Sequence, residues 1–492
     1  MIKIKNEVIR EQKNFWNNCL FHPTDAVEDP WGKKILDRMA KDGSINTVRL
    51  YAMFEDIVYE DEDGELAYDF RISDVRLDYM LEKGYNLLLA CGMMPECIAL
   101  NKRSLMSNNK NKTRYKGKLI NTSIPKDYKL WEGVCYNYAK HLIDRYGIEV
   151  VSKWRFQCFN EPDGPDFFWS DVPRENVEKR AAEYCKLYTA FAKGMTRASD
   201  KLNIGGPALS TNHEFLKIFL KYMKATGIKI DFISVHNYAN MWYEKVVKEG
   251  KKFSADEWAD KLEEYIDNVK EFGFDNIPFV IDEWGMSGGG FLNIEECPPF
   301  IARENEVLSA YYAKILYRIL EKGWDVANLM ICLSGQHEMV TDFSGFRNFF
   351  TLNFIKKPIY NTYVLASKLH ESLLAKVCEN ENLYVIPTKS GDKYSVLVSY
   401  SSEYFEEDLP EMNEKIVFDT DIKGKKVTVY CIDKDTTNPY RLYQKMGEPE
   451  MDEETINALR VEGNIKPIKE FKAEGDIELK LTANCVYLIE VE

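Results

Sequence analysis

A chain of 492 residues with 45% hydrophobic and 13% aromatic side chains can bury a large core, holds more than one domain, and is too apolar to be disordered. Its 65 basic and 79 acidic residues leave a net charge of −14, which argues against a nucleic-acid partner and against polybasic membrane binding. Eleven cysteines without a C-x-x-C pair read as reduced thiols, not as a disulfide framework.

The N-terminal stretch MIKIKNEVIREQKNFW has no apolar targeting core, and nothing later offers about twenty uncharged residues, so a cytoplasmic protein is expected. A regular order then begins. The apolar run FWNNCLF (15–21) precedes DPWGKKILDRMAKDG, a helix signal with Pro30 in its first turn and Gly43 at its end. INTVRLYAMF (45–54) leads to DVRLDYMLEKG, which stops at Gly84, and YNLLLACGMM (85–94) follows. KDYKLWEGVCYNYAKHLIDRYG sets Trp131, Cys135, Tyr138 and Leu142 on one helical face and ends on Gly147. The strand run SKWRFQCF (152–159) comes next, then LNIGGPAL (202–209), IDFISVHNY (230–238), IPFVIDEWG (277–285) and VANLMICLSG (326–335). Helical patterns near 178–199, 212–227, 255–273, 301–323 and 359–373 alternate with them.

The strand runs are apolar on both faces, as parallel strands covered by helices should be. Eight strand–helix units predict an α/β fold, a (β/α)8 TIM barrel over residues 14–372. A doubly wound open sheet is the competing arrangement, but no G-x-G-x-x-G follows an early strand. After about residue 375 the runs alternate and turn residues separate them, which predicts a C-terminal antiparallel β-sandwich over 373–492, with residues 1–13 available to contribute a strand. The charged stretch 436–475 reads as a long loop or short helix within it.

Barrel chemistry sits at the carboxyl ends of the strands. Those ends carry Arg49 and Tyr51 on the second, Asn160 and Glu161 on the fourth, His236 and Tyr238 on the sixth, and Asp282 and Glu283 on the seventh. The fourth strand must end at Asn160-Glu161-Pro162, since proline lacks the N–H a central strand needs, and its carboxylate then projects above the sheet. Two opposed carboxylates suit glycosidic cleavage, one protonating the leaving oxygen while the other attacks the anomeric carbon or activates water. Arg49 would keep a neighbouring nucleophile ionised, Tyr238 would orient it, and Asn160 would bind a sugar hydroxyl. Plainer readings exist: a structural ion pair for Arg49, a satisfied core histidine for His236, a solvated loop for Asp282-Glu283. No metal or other cofactor is expected, since the six histidines include no H-E-x-x-H or paired ligand spacing.

With these residues in view, the chain resembles glycoside hydrolases of clan A, and specifically family 39, which includes β-xylosidases and α-L-iduronidases. The blocks that carry the resemblance are PKDYKLWEGVCYNYAKHLIDRYGIEVVSKWRFQCFNEPDG, GMMPECIAL, GGPALS, DFISVHNY, FVIDEWG and FFTLNFIKKPIYNTYVLASKL, spread over about residues 45–370. The resemblance implies Glu161 as acid/base and Glu283 as nucleophile, with Arg49, Asn160, His236 and Tyr238 around the glycone. Tyr51 stands where the family usually has histidine, Ala90 where it has glutamate, Trp284-Gly285 where asparagine follows the nucleophile, and ICLSGQHEM replaces a Trp-bearing motif. Tyr51, Trp284 and Gln336 are accordingly expected as the pocket walls that set the substrate.

The expectation is a retaining exo-glycosidase acting on β-xylosides or similar small β-glycosides, its partner an oligosaccharide or small glycoside, with homo-oligomerisation left open. The first rival is the same chemistry on an arabinopyranoside, galactoside or uronide. The second is a catalytically silent sugar-binding barrel, which the presence of both glutamates disfavours.

Overall fold

The computed structural model describes residues 1–104, 120–240, 248–250, 252–288, 292–405 and 409–492. Eight parallel strands close into a barrel, in chain order Asn18–Phe21, Thr47–Tyr51, Asn86–Cys91, Arg155–Cys158, Asn203–Leu209, Phe232–Asn240, Phe279–Ser287 and Val326–Leu333. They are called barrel strands one to eight below. Strands six and seven run beyond their expected ends, so the site-bearing tips there are still hydrogen-bonded ladder.

The helices sit where period and caps predict. Helix Pro30–Asp42 begins where the Asp29 carboxylate accepts from the N–H groups of Trp31 and Gly32, and it ends at Gly43 with φ 62°. Helix Tyr128–Tyr146 is capped by Asp127 and turns Trp131, Cys135, Tyr138 and Leu142 into the core. Helices Arg71–Glu82, Val177–Ala198, His213–Thr226, Ala255–Glu271, Glu306–Lys322 and Pro358–Ala366 complete the outer layer. The last is shorter than its pattern because the chain turns at Ser372 into a strand of the second sheet. No helix among the described residues is long and apolar enough to cross a membrane. All eleven cysteines are free thiols, and all but Cys378 are buried.

Inside the barrel the side chains form layers along the axis. Leu88, Phe232, Val280 and Met330 plug the lower part as an apolar cluster. Above them Arg49, Gln157, Ser234 and Asp282 form a buried polar layer. Strand six shows the order directly: Phe232, Ser234, His236 and Tyr238 share one face at a spacing of two and climb from plug to mouth.

Among the described residues, Val58–Glu60 and Leu66–Tyr68 form a small antiparallel pair after strand two. The other strands outside the barrel form one nine-stranded sheet, antiparallel except where Ile2–Glu11 runs parallel to Met412–Phe418. Ile2–Glu11 also pairs with Ser372–Val377, which stitches the chain's start to the barrel's exit. Val427 and Val429 near one edge share a buried cluster with Ile477, Leu479 and Leu481 at the other, so the sheet curls over its own core in sandwich-like fashion. The stretch 436–475 differs from expectation: it forms helices Pro439–Lys445 and Glu453–Glu462 and strand Lys469–Lys472. Asn438 and Asp452 cap the helices, and their few apolar contacts are tertiary, with Tyr440 and Leu459 packing on Phe343 and Ile355. The apolar residues scattered over so charged a stretch give no clear sequence period to read.

Candidate active site

The polar layer of the barrel is organised by Arg49. Its guanidinium is fully buried, and each nitrogen has its own side-chain partner. Nε donates to Gln157 Oε1 at 2.9 Å, Nη1 to Glu283 Oε1 at 2.8 Å, and Nη2 to Asn160 Oδ1 at 2.7 Å. Nη2 also lies 3.2 Å from Asp282 Oδ2. Gln157 in turn donates from Nε2 to Ser234 Oγ at 2.7 Å and to Asp282 Oδ2 at 2.6 Å. One arginine thus ties the tips of strands two, four and seven together.

Adjacent residues on a regular strand face opposite ways, yet Asp282 and Glu283 both meet this guanidinium. The cause is a bulge: Ile281 pairs with Val235 and Glu283 with His236, leaving Asp282 as an extra residue in strand seven. Glu283 also accepts from the Tyr238 hydroxyl at Oε2, 2.9 Å away, and Arg347 Nη1 donates to that hydroxyl at 3.4 Å.

His236 stands between the two glutamates. Its Nδ1 is 2.8 Å from Glu161 Oε1 and 3.5 Å from Glu283 Oε2, and its Nε2 is 3.3 Å from Asp282 Oδ2. Glu161 leaves strand four through two backbone conformations in the left-handed region, Phe159 at φ 68° and Glu161 at φ 42°. Such conformations in non-glycine residues are costly and persist where surrounding structure imposes them, as at ligand sites.

The charges differ between the two glutamates for identifiable reasons. Burial raises the Glu161 carboxyl above its ordinary range, and its hydrogen bond from His236 opposes this without cancelling it. Burial also disfavours charge on Glu283, but the cations His236 and Arg49 outweigh it and hold the carboxyl below the usual range. Asp282 is likewise lowered against its burial, by Arg49 and His236. Burial alone would neutralise His236, but Glu283 and Asp282 push it up to about 10. The site therefore holds two cations and two carboxylates, with a third carboxyl that favours its proton.

Glu161, His236 and Glu283 each offer a donor atom within 4.8 Å of the others, and Asp25, His337 and Glu338 form a similar group. In the first group Glu283 and Asp282 push the His236 imidazole up, which favours its protonated form.

Arg49, Asn160, Glu161, His236, Tyr238 and Glu283 are thus brought together. Tyr51 stands beside them, its ring centroid 5.2 Å from the Arg49 guanidinium carbon and 5.1 Å from the His22 ring. It lines a small cavity with His22, Glu55, Met93 and Phe167, in which burial pushes the Glu55 carboxyl up to about 7.

Two expected pocket residues are not there. Trp284 follows the inward-facing Glu283 and so points outward into the helix layer, where it is fully buried. It stacks on Tyr312 with centroids 5.4 Å apart and meets Trp258 edge-on at 6.5 Å. Gln336 lies on a single 3-10 turn beyond strand eight, and its amide donates to both Asp29 oxygens at 2.8 Å. It braces the cap of helix Pro30–Asp42 instead of facing the carboxylates.

Residues that the sequence reading did not single out also belong here. Gln157 and Asp282 complete the polar layer, and Arg347 reaches Tyr238 from the loop after strand eight. Near Arg347, burial raises Glu338 to about 6. Asp282 was visible as half of an acidic pair, but the bulge that turns it inward was not. Arg347 sits in FSGFRNFF, which has no motif to mark it.

The chain has relatives of known family. A family model described as glycosyl hydrolases family 39 matches residues 1–478. A β-xylosidase from Caldicellulosiruptor saccharolyticus is 25% identical over 448 residues, covering 88% of this chain and 85% of that protein. Human α-L-iduronidase is 30% identical over 121 residues, 22% of this chain and 17% of its own. Among solved structures, a monomeric β-xylosidase from Caulobacter crescentus CB15 superposes with a TM-score of 0.83 at 20% identity, covering 100% of this chain and 99% of that one.

Proposed function

The chain belongs to glycosyl hydrolase family 39 and is a glycosidase, and on that premise we propose a retaining, exo-acting enzyme that cleaves β-xylosides or closely similar small β-glycosides. The observation that carries the mechanism is the closeness of the two glutamates. An oxygen on each lies within 4.8 Å of the other. That closeness favours the roughly 5–5.5 Å between carboxyl groups of retaining glycosidases over the roughly 6.5–9.5 Å across which inverting enzymes seat a water.

In this reading Glu161 donates its proton to the departing oxygen while Glu283 attacks the anomeric carbon. Arg49 and the Tyr238 hydroxyl hold Glu283 charged and aimed. Asn160, its carbonyl engaged by Arg49, turns its amide N–H groups toward a sugar hydroxyl. Once the glycosyl-enzyme forms, the charge on Glu283 is gone and Glu161 ionises more easily, so it can take a proton from the incoming water. The choice of a xyloside rests on the named β-xylosidases that align over 87–88% of this chain. Tyr51, beside Arg49 and Glu55, is proposed to shape the glycone subsite.

The direct test is stereochemical. Proton NMR during early turnover of 4-nitrophenyl β-xyloside is expected to show β-xylose first, with the α anomer arriving later by mutarotation. First appearance of α-xylose would remove Glu283 as nucleophile.

The pH dependence has a definite sign. Glu283 must be charged and is depressed, so the fall in activity on the acid side lies below the ordinary glutamate range. Glu161 must be protonated and is raised, so activity falls as pH rises through its elevated value. The kcat/KM profile of the free enzyme should be a bell broadened at both ends relative to two ordinary carboxyls, its acid limb lower and its alkaline limb higher. A profile flat from pH 4 to 9 would exclude this pair.

A further inference from the structure

Asp163 lies two residues beyond Glu161 and has no role in the chemistry described so far. It is buried, and its carboxylate accepts three consecutive backbone N–H groups from the tip of strand five. Oδ1 accepts from Ser210 at 2.9 Å, and Oδ2 accepts from Thr211 at 2.9 Å and Asn212 at 3.0 Å. These amides immediately precede helix His213–Thr226, so an anion here also meets the positive end of a 14-residue helix. A second bond runs the same way: the Glu161 N–H donates to Ala208 O at 3.0 Å. Ala208 is itself held by its N–H donating to Ser234 Oγ at 3.0 Å, the hydroxyl that Gln157 also reaches.

The strand-four tip is thus fastened to the strand-five tip on both sides of Glu161. This matters because Glu161 sits at φ 42°, a conformation that an unrestrained chain would relax. We propose that Asp163 is a positioning residue for the acid/base: by clasping the 210–212 amides it keeps the strand-four tip in its left-handed turn and aims the Glu161 carboxyl at the leaving-group oxygen. The proposal rests on the reading of Glu161 as acid/base and adds to it the residue that fixes its direction.

Asp163 also contributes charge. The groups facing Glu161 are His236 from strand six, Glu283 from strand seven and Asp163 itself, which adds to the rise in the Glu161 carboxyl already caused by burial. Those facing Asp163 include Arg180 from helix Val177–Ala198 and Tyr265 from helix Ala255–Glu271. Removing the Asp163 charge therefore leaves the cation on His236 less opposed, and Glu161 should ionise at lower pH.

The test uses carboxyl 13C NMR titration of the full chain, with the Glu161 resonance assigned by its loss in Glu161→Gln. In Asp163→Asn, which removes the charge and leaves one acceptor oxygen for the three amides, the Glu161 midpoint should fall by about half a unit. An unchanged or raised midpoint overturns the proposal, and this readout does not need turnover. Kinetics give the positioning arm. Asp163→Ala should lose roughly 100-fold in kcat on aryl glycosides with poor leaving groups, and only a few-fold on a dinitrophenyl glycoside that needs no acid. Equal loss on both would make Asp163 a structural clasp only. If the alanine variant does not fold, Asp163→Asn carries both arms. Failure of the wild type to turn over any aryl glycoside would sink the functional reading, while the titration would still decide the role of Asp163.

Discussion

Glu283→Ala is expected to lower kcat by roughly 10⁴–10⁶-fold on every glycoside the enzyme accepts. The magnitude follows from what would have to replace it. No other carboxylate among the described residues is placed to attack: Asp282 is fully buried beneath it and engaged by Arg49, His236 and Gln157. Water in the vacated space does not take over, because it is an uncharged, weak nucleophile with no base on that face to activate it. The alanine variant should fold, since removing Glu283 leaves Arg49 with Asp282, Gln157 and Asn160 as partners. Azide should restore turnover of a dinitrophenyl β-glycoside and yield the α-glycosyl azide, because the anion fits the vacated space and attacks once. Measured kcat above about one percent of wild type without azide would assign the attack to another group.

How much of this was legible beforehand depended on whether a feature was local. The eight strands could be read because burial on both faces makes each an unbroken apolar run. Asn160-Glu161, His236, Tyr238 and Glu283 could be placed because a barrel brings every strand's C-terminal end to one mouth. Trp284 was misplaced by the same logic: its neighbour faces the mouth, and strand alternation then sends it outward to Tyr312. The bulge at Asp282 was illegible, since an extra residue shows only against the partner strand's register. Gln336 was taken for a pocket wall on its position after strand eight, but a 3-10 turn brings its amide to Asp29 instead. Arg347 and Asp163 act through contacts to distant parts of the chain, and neither carries a period or a motif. The clasp at Asp163 is a case in point: its partners are backbone N–H groups 47 to 49 residues away, whose side chains are irrelevant to the contact.

Glu161→Ala should separate substrates by leaving group, and the separation is the strongest evidence available for its role. A phenyl or alkyl glycoside must receive a proton as its bond breaks, so its kcat/KM is expected to fall roughly 10²–10⁴-fold. A dinitrophenyl glycoside leaves as a stable anion, and its kcat/KM should change little. The second step still needs a base to activate water, and Glu161 is that base in the reading above. The variant should therefore stall at the glycosyl-enzyme: a burst of dinitrophenolate, then slow turnover, with kcat and KM falling together because the covalent species accumulates. The alkaline limb of the pH profile should disappear with the proton that caused it. In the free enzyme Glu283 and Asp282 favour the protonated form of His236, which has no lone pair to serve as a base in place of Glu161. A uniform loss on good and poor leaving groups, with no burst, would mean that Glu161 binds sugar without moving a proton. The raised carboxyl at the strand-four tip would then need another explanation.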